Sequence, residues 1–137
     1  MGTLNVSVID TVFDPDRRAS AGKIYYREKD DLTYYHVWIF VEGPDMPFIE
    51  SVTYQLHPSF GTTKRRVERT LSNPQCQMLI WTYGMFTLGV EMLDKKGVVY
   101  EIAHKMTYDR LLTKDAAYVR GEPPTILPER PSRKTTL

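Results

Sequence analysis

Val52, Tyr54 and Leu56 alternate with Ser51, Thr53 and Gln55, and this period of two recurs along most of the chain. Successive side chains of a strand point to opposite faces, so such alternation predicts one buried and one solvated face. A first strand is predicted from Leu4 to about Val12, with Leu4, Val6 and Val8 on one face. Ile24, Tyr25 and Tyr26 form the heart of a short second one. Residues 34–41, Tyr-Tyr-His-Val-Trp-Ile-Phe-Val, are apolar on both faces, which predicts a central strand covered on both sides. Further strands are predicted over 49–56, 75–81, 86–92 and 98–106. Between them stand turn signals: Asp14-Pro15-Asp16, Gly43-Pro44-Asp45 and Asp94-Lys95-Lys96-Gly97. Seven to eight short strands so punctuated predict an all-β antiparallel β-sandwich. Leu111, Leu112 and Ala116 fall on one side of a short C-terminal helix read over 109–119. The organisation is one domain over 1–120 and a flexible tail over 121–137. That tail carries Pro123, Pro124, Pro128 and Pro131 and few large apolar groups to offset the entropy of ordering.

Composition narrows the function classes. A chain of 137 residues with 42% hydrophobic residues can bury a core of its own. A formal net charge of +1 supplies no general field for nucleic acid, so direct nucleic-acid binding is not expected. Lys64, Arg65, Arg66 and Arg69 read as a charged strand edge or as a phosphate-binding patch. Cys76 is the only cysteine, which excludes an intrachain disulfide and a cysteine zinc site. No apolar run reaches bilayer length and no basic-then-apolar leader opens the chain, so a soluble intracellular protein without membrane partners is expected.

Catalytic signals are missing. There is no glycine-rich phosphate loop and no nucleophile elbow around any serine. His36, His57 and His104 have no second ligand at metal spacing nearby, so neither a metal nor a cofactor is expected. Ser59 and His57 suggest a nucleophile and a base, but Pro58 breaks the strand between them and no oxyanion device follows. The chain is therefore read as non-enzymatic.

Two stretches remain, His57-Pro58-Ser59-Phe60 and Tyr83-Gly84-Met85-Phe86, each following a predicted strand. Rigid strands holding aromatic and hydroxyl groups in loops are a usual basis for binding. The alternative is that Phe60 caps the core and Ser59 a turn. Here the chain resembles the YEATS domain family, from about Tyr34 to Tyr108. Trp38-Ile39-Phe40-Val41-Glu42-Gly43-Pro44 is similar to the family's tryptophan strand. Val52-Thr53-Tyr54-Gln55-Leu56-His57-Pro58-Ser59-Phe60 resembles its strand and first loop, followed by the basic pair Lys64-Arg65. Thr82-Tyr83-Gly84-Met85-Phe86 resembles its second loop, and the His-Pro-Ser-Phe form is closer to the prokaryotic branch.

The resemblance implies an immunoglobulin-like sandwich that reads acetylated or crotonylated lysine, with the acyl amide between two rings. Phe60 and Tyr83 match the walls and Tyr34 a third aromatic. His57 and Ser59 match the polar pair, and the backbone at Tyr83 and Gly84 matches the donor to the amide oxygen. Thr82 stands where chromatin-bound relatives usually have glycine, so a loop that required positive φ there would be closed to it. The partners implied are an acylated-lysine peptide or another protein, with a small acyl-type ligand as an option. The alternative function is a prokaryotic interaction or sensing module without acyl-lysine recognition. Location is expected to be cytoplasmic for a prokaryotic protein and nuclear for a eukaryotic chromatin reader.

Overall fold

In the computed structural model, which describes residues 4–15 and 22–122, the strand-forming residues fold into two facing sheets. Strand β1 is Ser7–Thr11, β2 Lys23–Lys29, β3 Leu32–Glu42, β4 Ile49–Gln55 and β5 Lys64–Glu68. They are followed by β6 Met78–Thr82, β7 Thr87–Asp94, β8 Val99–Lys105 and β9 Ala117–Arg120. The first sheet is built on β3, which pairs antiparallel with β1, β2 and β6. Trp38 and Ile39 pair with both β1 and β6, and Tyr35 with both β2 and β6. Hence β1 and β2 share one edge of the eleven-residue β3 and β6 takes the other. The second sheet runs β5-β4-β7-β8, antiparallel throughout.

Alternation decides which residues fill the interior. Ile24, Val37, Ile39, Val41 and Ile80 from one sheet meet Val52, Tyr54, Leu56, Leu88, Val90 and Met92 from the other. Tyr54 has no exposed surface, and its hydroxyl donates to the Cys76 carbonyl at 2.6 Å, which meets its buried polar end. Burial raises the Tyr54 phenol and pushes the Cys76 thiol up to about 11, which removes thiolate reactivity. The double-sided apolar character of β3 is real: His36, Trp38 and Phe40 are buried although they lie outside the inter-sheet core.

Turn chemistry follows the local sequence. Asp30 and Asp31 adopt φ of 54° and 64° between the paired Lys29 and Leu32, the geometry of a two-residue primed hairpin turn. Gly43 has φ of 145°, and a Cβ placed on it would run into the Asn5 carbonyl oxygen, so any side chain there would collide with backbone.

Three expectations need correction. The stretch 109–119 is not an α-helix: a single 3-10 turn spans Tyr108–Leu111, and β9 then pairs with β2. That pairing is parallel, so the sandwich is not wholly antiparallel. The described strands also number nine, one more than the upper expectation. Of the tail predicted over 121–137, only Gly121 and Glu122 are among the described residues.

Candidate ligand-binding cleft

The β4–β5 and β6–β7 connections meet at one end of the sandwich. The first loop is closed by Leu56 N–H donating to the Thr63 carbonyl at 2.6 Å. Pro58 has no N–H and a fixed φ, so it suits the tight turn closed by Phe60 N–H donating to the His57 carbonyl at 3.0 Å. The second loop begins in the first sheet, at Thr82 opposite Tyr35, and ends in the second sheet at Thr87. Between the loops lies a cleft of about 520 Å³.

All seven residues singled out from the sequence line this one cleft: Tyr34, His57, Ser59, Phe60, Thr82, Tyr83 and Gly84. Phe60 stands with Phe86 at a ring-centroid distance of 5.7 Å, and His57 lies 6.1 Å from the same ring. Tyr83 meets Tyr34 edge-on at 5.3 Å. The cleft thus has a Phe60–Phe86–His57 cluster and a separate Tyr34–Tyr83 pair. Tyr83 is 52% exposed, so it is not a core side chain.

Hydrogen bonds fix the polar groups. Ser59 N–H donates to His57 Nδ1 at 3.0 Å, so Nδ1 carries a lone pair and the ring proton sits on Nε2. The Ser59 hydroxyl, 2.9 Å from the same nitrogen, can then only donate to it. That leaves the Ser59 oxygen as an acceptor facing the cleft. Thr82 is buried in β6 with ordinary φ, so it carries no strain from replacing a glycine. Its hydroxyl donates to the Gly84 carbonyl at 3.0 Å and receives the Gly84 N–H at 3.3 Å. The Gly84 carbonyl also accepts from the Tyr108 hydroxyl at 3.1 Å. Burial pushes the Tyr108 phenol up to about 12, so it remains a donor at neutral pH.

Four lining residues were not predicted as site residues: Gly61, Trp81, Met85 and Phe86. Trp81 rests on His36 at 4.8 Å, and the Arg27 guanidinium sits 4.2 Å from the centre of the indole. Burial holds His36 down to about 4, so it is neutral at physiological pH. None of the eleven lining side chains carries a formal charge when His57 is neutral. Among the described residues no cluster of three or more His, Cys, Asp or Glu could hold a metal ion. Nor is any helix among them long and apolar enough to cross a membrane.

A second support lies beneath the cleft. Asp10 occupies the inward face of β1, between the buried Val8 and Val12. Its carboxyl oxygens accept from His104 Nε2 at 2.7 Å, Thr107 N–H at 2.8 Å, Tyr108 N–H at 2.6 Å and the Thr107 hydroxyl at 3.3 Å. Sequence reading missed it, although a charged residue on the apolar side of an alternating strand was the available signal.

The family profile described as prokaryotic YEATS domain matches residues 34–107, more than half of the chain. The chain belongs to the prokaryotic YEATS domain family. The matched region of this YEATS domain includes both cleft loops and all seven predicted residues. Among solved structures, the YEATS fold is shared with a Yaf9 YEATS domain described as recognising an H3K122suc peptide. The identity is 14% and the TM-score 0.53, over 80% of this chain and 75% of that one. A crystal structure of the yeast AF-9 homologue Yaf9 is similar at 16% identity and a TM-score of 0.48, covering 77% of this chain and 72% of that one. No curated protein matches the chain.

Proposed function

We propose that this prokaryotic YEATS domain is a non-enzymatic reader of a neutral acylated lysine, held in the cleft between Phe60 and Tyr83. The supporting observation is an uncharged cleft with rings in both loops and the Ser59 oxygen turned into an acceptor. A flat amide is stabilised by offset contact with ring faces, while its buried N–H and oxygen still require partners. Ser59 Oγ takes the N–H. Gly84 N–H already donates to Thr82, so the Tyr83 N–H is the stronger candidate donor to the acyl oxygen. An unmodified lysine ammonium would find no carboxylate in this lining, and a succinyl carboxylate no cation. Acetyl and crotonyl lysine are therefore preferred over both.

The test is titration with otherwise identical peptides carrying acetyl-, crotonyl-, succinyl- or unmodified lysine, followed by amide chemical shifts. Shifts confined to the two loops with the neutral acyl forms, lost in Tyr83→Ala, are expected. Equal binding of the unmodified peptide, or no shifts in either loop, would refute the reading. Free acylated lysine that binds as tightly as the peptide would favour the small-ligand sensing alternative. The Ser59–His57 contact also motivates an ester-hydrolysis assay, in which turnover abolished by Ser59→Ala would overturn the non-enzymatic assignment.

A further inference from the structure

Among the described residues no strand lies along the outer edge of β8, and that edge is chemically complete for pairing with a copy of itself. Two bonds at the ends of the β7–β8 ladder set its direction: Asp94 N–H donates to the Val98 carbonyl at 2.9 Å, and Met106 N–H to the Phe86 carbonyl at 3.3 Å. Both lie in register with the paired residues Thr87↔Lys105 through Leu93↔Val99. In an antiparallel ladder the hydrogen-bonded pairs alternate. Residues 98, 100, 102, 104 and 106 therefore turn their backbone groups toward β7. Val99, Glu101, Ala103 and Lys105 turn theirs outward, and all four residues are exposed.

Three other edges are blunted. Strand β9 has four residues. Strand β5 carries Lys64, Arg65 and Arg66, so antiparallel pairing with itself would bring cations together. Arg65 instead reaches the Leu79 carbonyl of β6 at 3.4 Å, which covers part of that edge as well. By contrast, β8 is seven residues long, has no proline, and is flanked by the exposed Val98 and Val99. Such an edge invites another strand.

Charge selects the partner and the register. On the outer face Glu91 stands opposite Glu101 in a non-hydrogen-bonded pair, where side chains are closest and like charges repel. The row continues to Thr53 and Arg66, but Arg66 is engaged with Glu68 at 2.7 Å. We propose that β8 pairs antiparallel with β8 of a second copy, Ala103 facing Ala103 on the two-fold axis. Glu101 of each chain then faces Lys105 of the other, and the Glu91–Glu101 repulsion is offset twice. The outward N–H and C=O groups of Glu101, Ala103 and Lys105 exchange bonds across the axis. The trough of about 490 Å³ floored by Gly89 and Ala103 becomes continuous across the joined sheet.

The test is the sedimentation-equilibrium mass of the full chain up to roughly 1 mM, the range of a weak dimer. A concentration-dependent dimer is expected. Ala103→Pro removes an outward N–H without touching the β7 ladder, so it should give a folded monomer. Glu101→Lys should weaken the dimer about tenfold, and Glu101→Lys with Lys105→Glu should restore it. A chain that stays monomeric throughout, including one whose β8 edge takes a strand from a different protein, overturns the proposal. So does a dimer unaffected by Ala103→Pro.

Discussion

The two loops that form the cleft are held in different ways. The Tyr83–Phe86 loop is tied to the body of the protein: Tyr108 anchors the Gly84 carbonyl, and Asp10 in turn grips the Tyr108 N–H. His36 supports the neighbouring Trp81 from the far side. The His57–Gly61 loop is held largely by bonds within itself, from Ser59 to His57 and from Phe60 to His57. One wall is thus braced by the fold, and the other chiefly by bonds within its own loop.

Breaking the brace should have the largest effect. Asp10→Ala leaves His104 and two backbone N–H groups without their acceptor, and a loss of roughly 3 kcal/mol or more is expected in urea unfolding. Acidification should act next. His36 has a folded value near 4 against an ordinary 6.5, so the unfolded chain binds the extra proton first. Stability is then lost as pH falls from 6.5 toward 4, by about 2 kcal/mol between pH 7.5 and pH 5. His36→Phe should flatten that dependence. Tyr108→Phe removes one hydroxyl bond and should cost about 1 kcal/mol, with new shifts at Gly84. The smallest stability effect is expected in the self-held loop. Ser59→Ala should change unfolding by less than about 0.5 kcal/mol while weakening acyl-lysine binding several-fold. If Ser59→Ala destabilises as much as Tyr108→Phe, the contrast between the walls is wrong.

Apart from Tyr34, the cleft residues occupy two short contiguous stretches at strand ends, where alternation stops, and it was the family resemblance that tied all of them to one site. Trp81 and Phe86 were not assigned to the site because each also fits the pattern of the adjoining strand. The end of the domain was misread for a different reason. Leu111, Leu112 and Ala116 carry a helix-like spacing, but the segment is specified by distant partners. Tyr118 meets Tyr26 at 6.4 Å, and Arg120 bonds Glu28 at 3.0 Å. Four residues of β9 are too few to show a period. Asp10 shows the converse: one carboxyl in an apolar row was visible, but its four acceptor contacts lie more than ninety positions away in the chain.

The connection from Thr82 to Thr87 leaves one sheet and enters the other. A slide of one layer over its neighbour therefore alters the gap between Phe60 and Tyr83, as a caliper converts travel into opening. A conservative change deep in the interior, such as Val90→Ile, can thus reshape the cleft without altering any group that lines it.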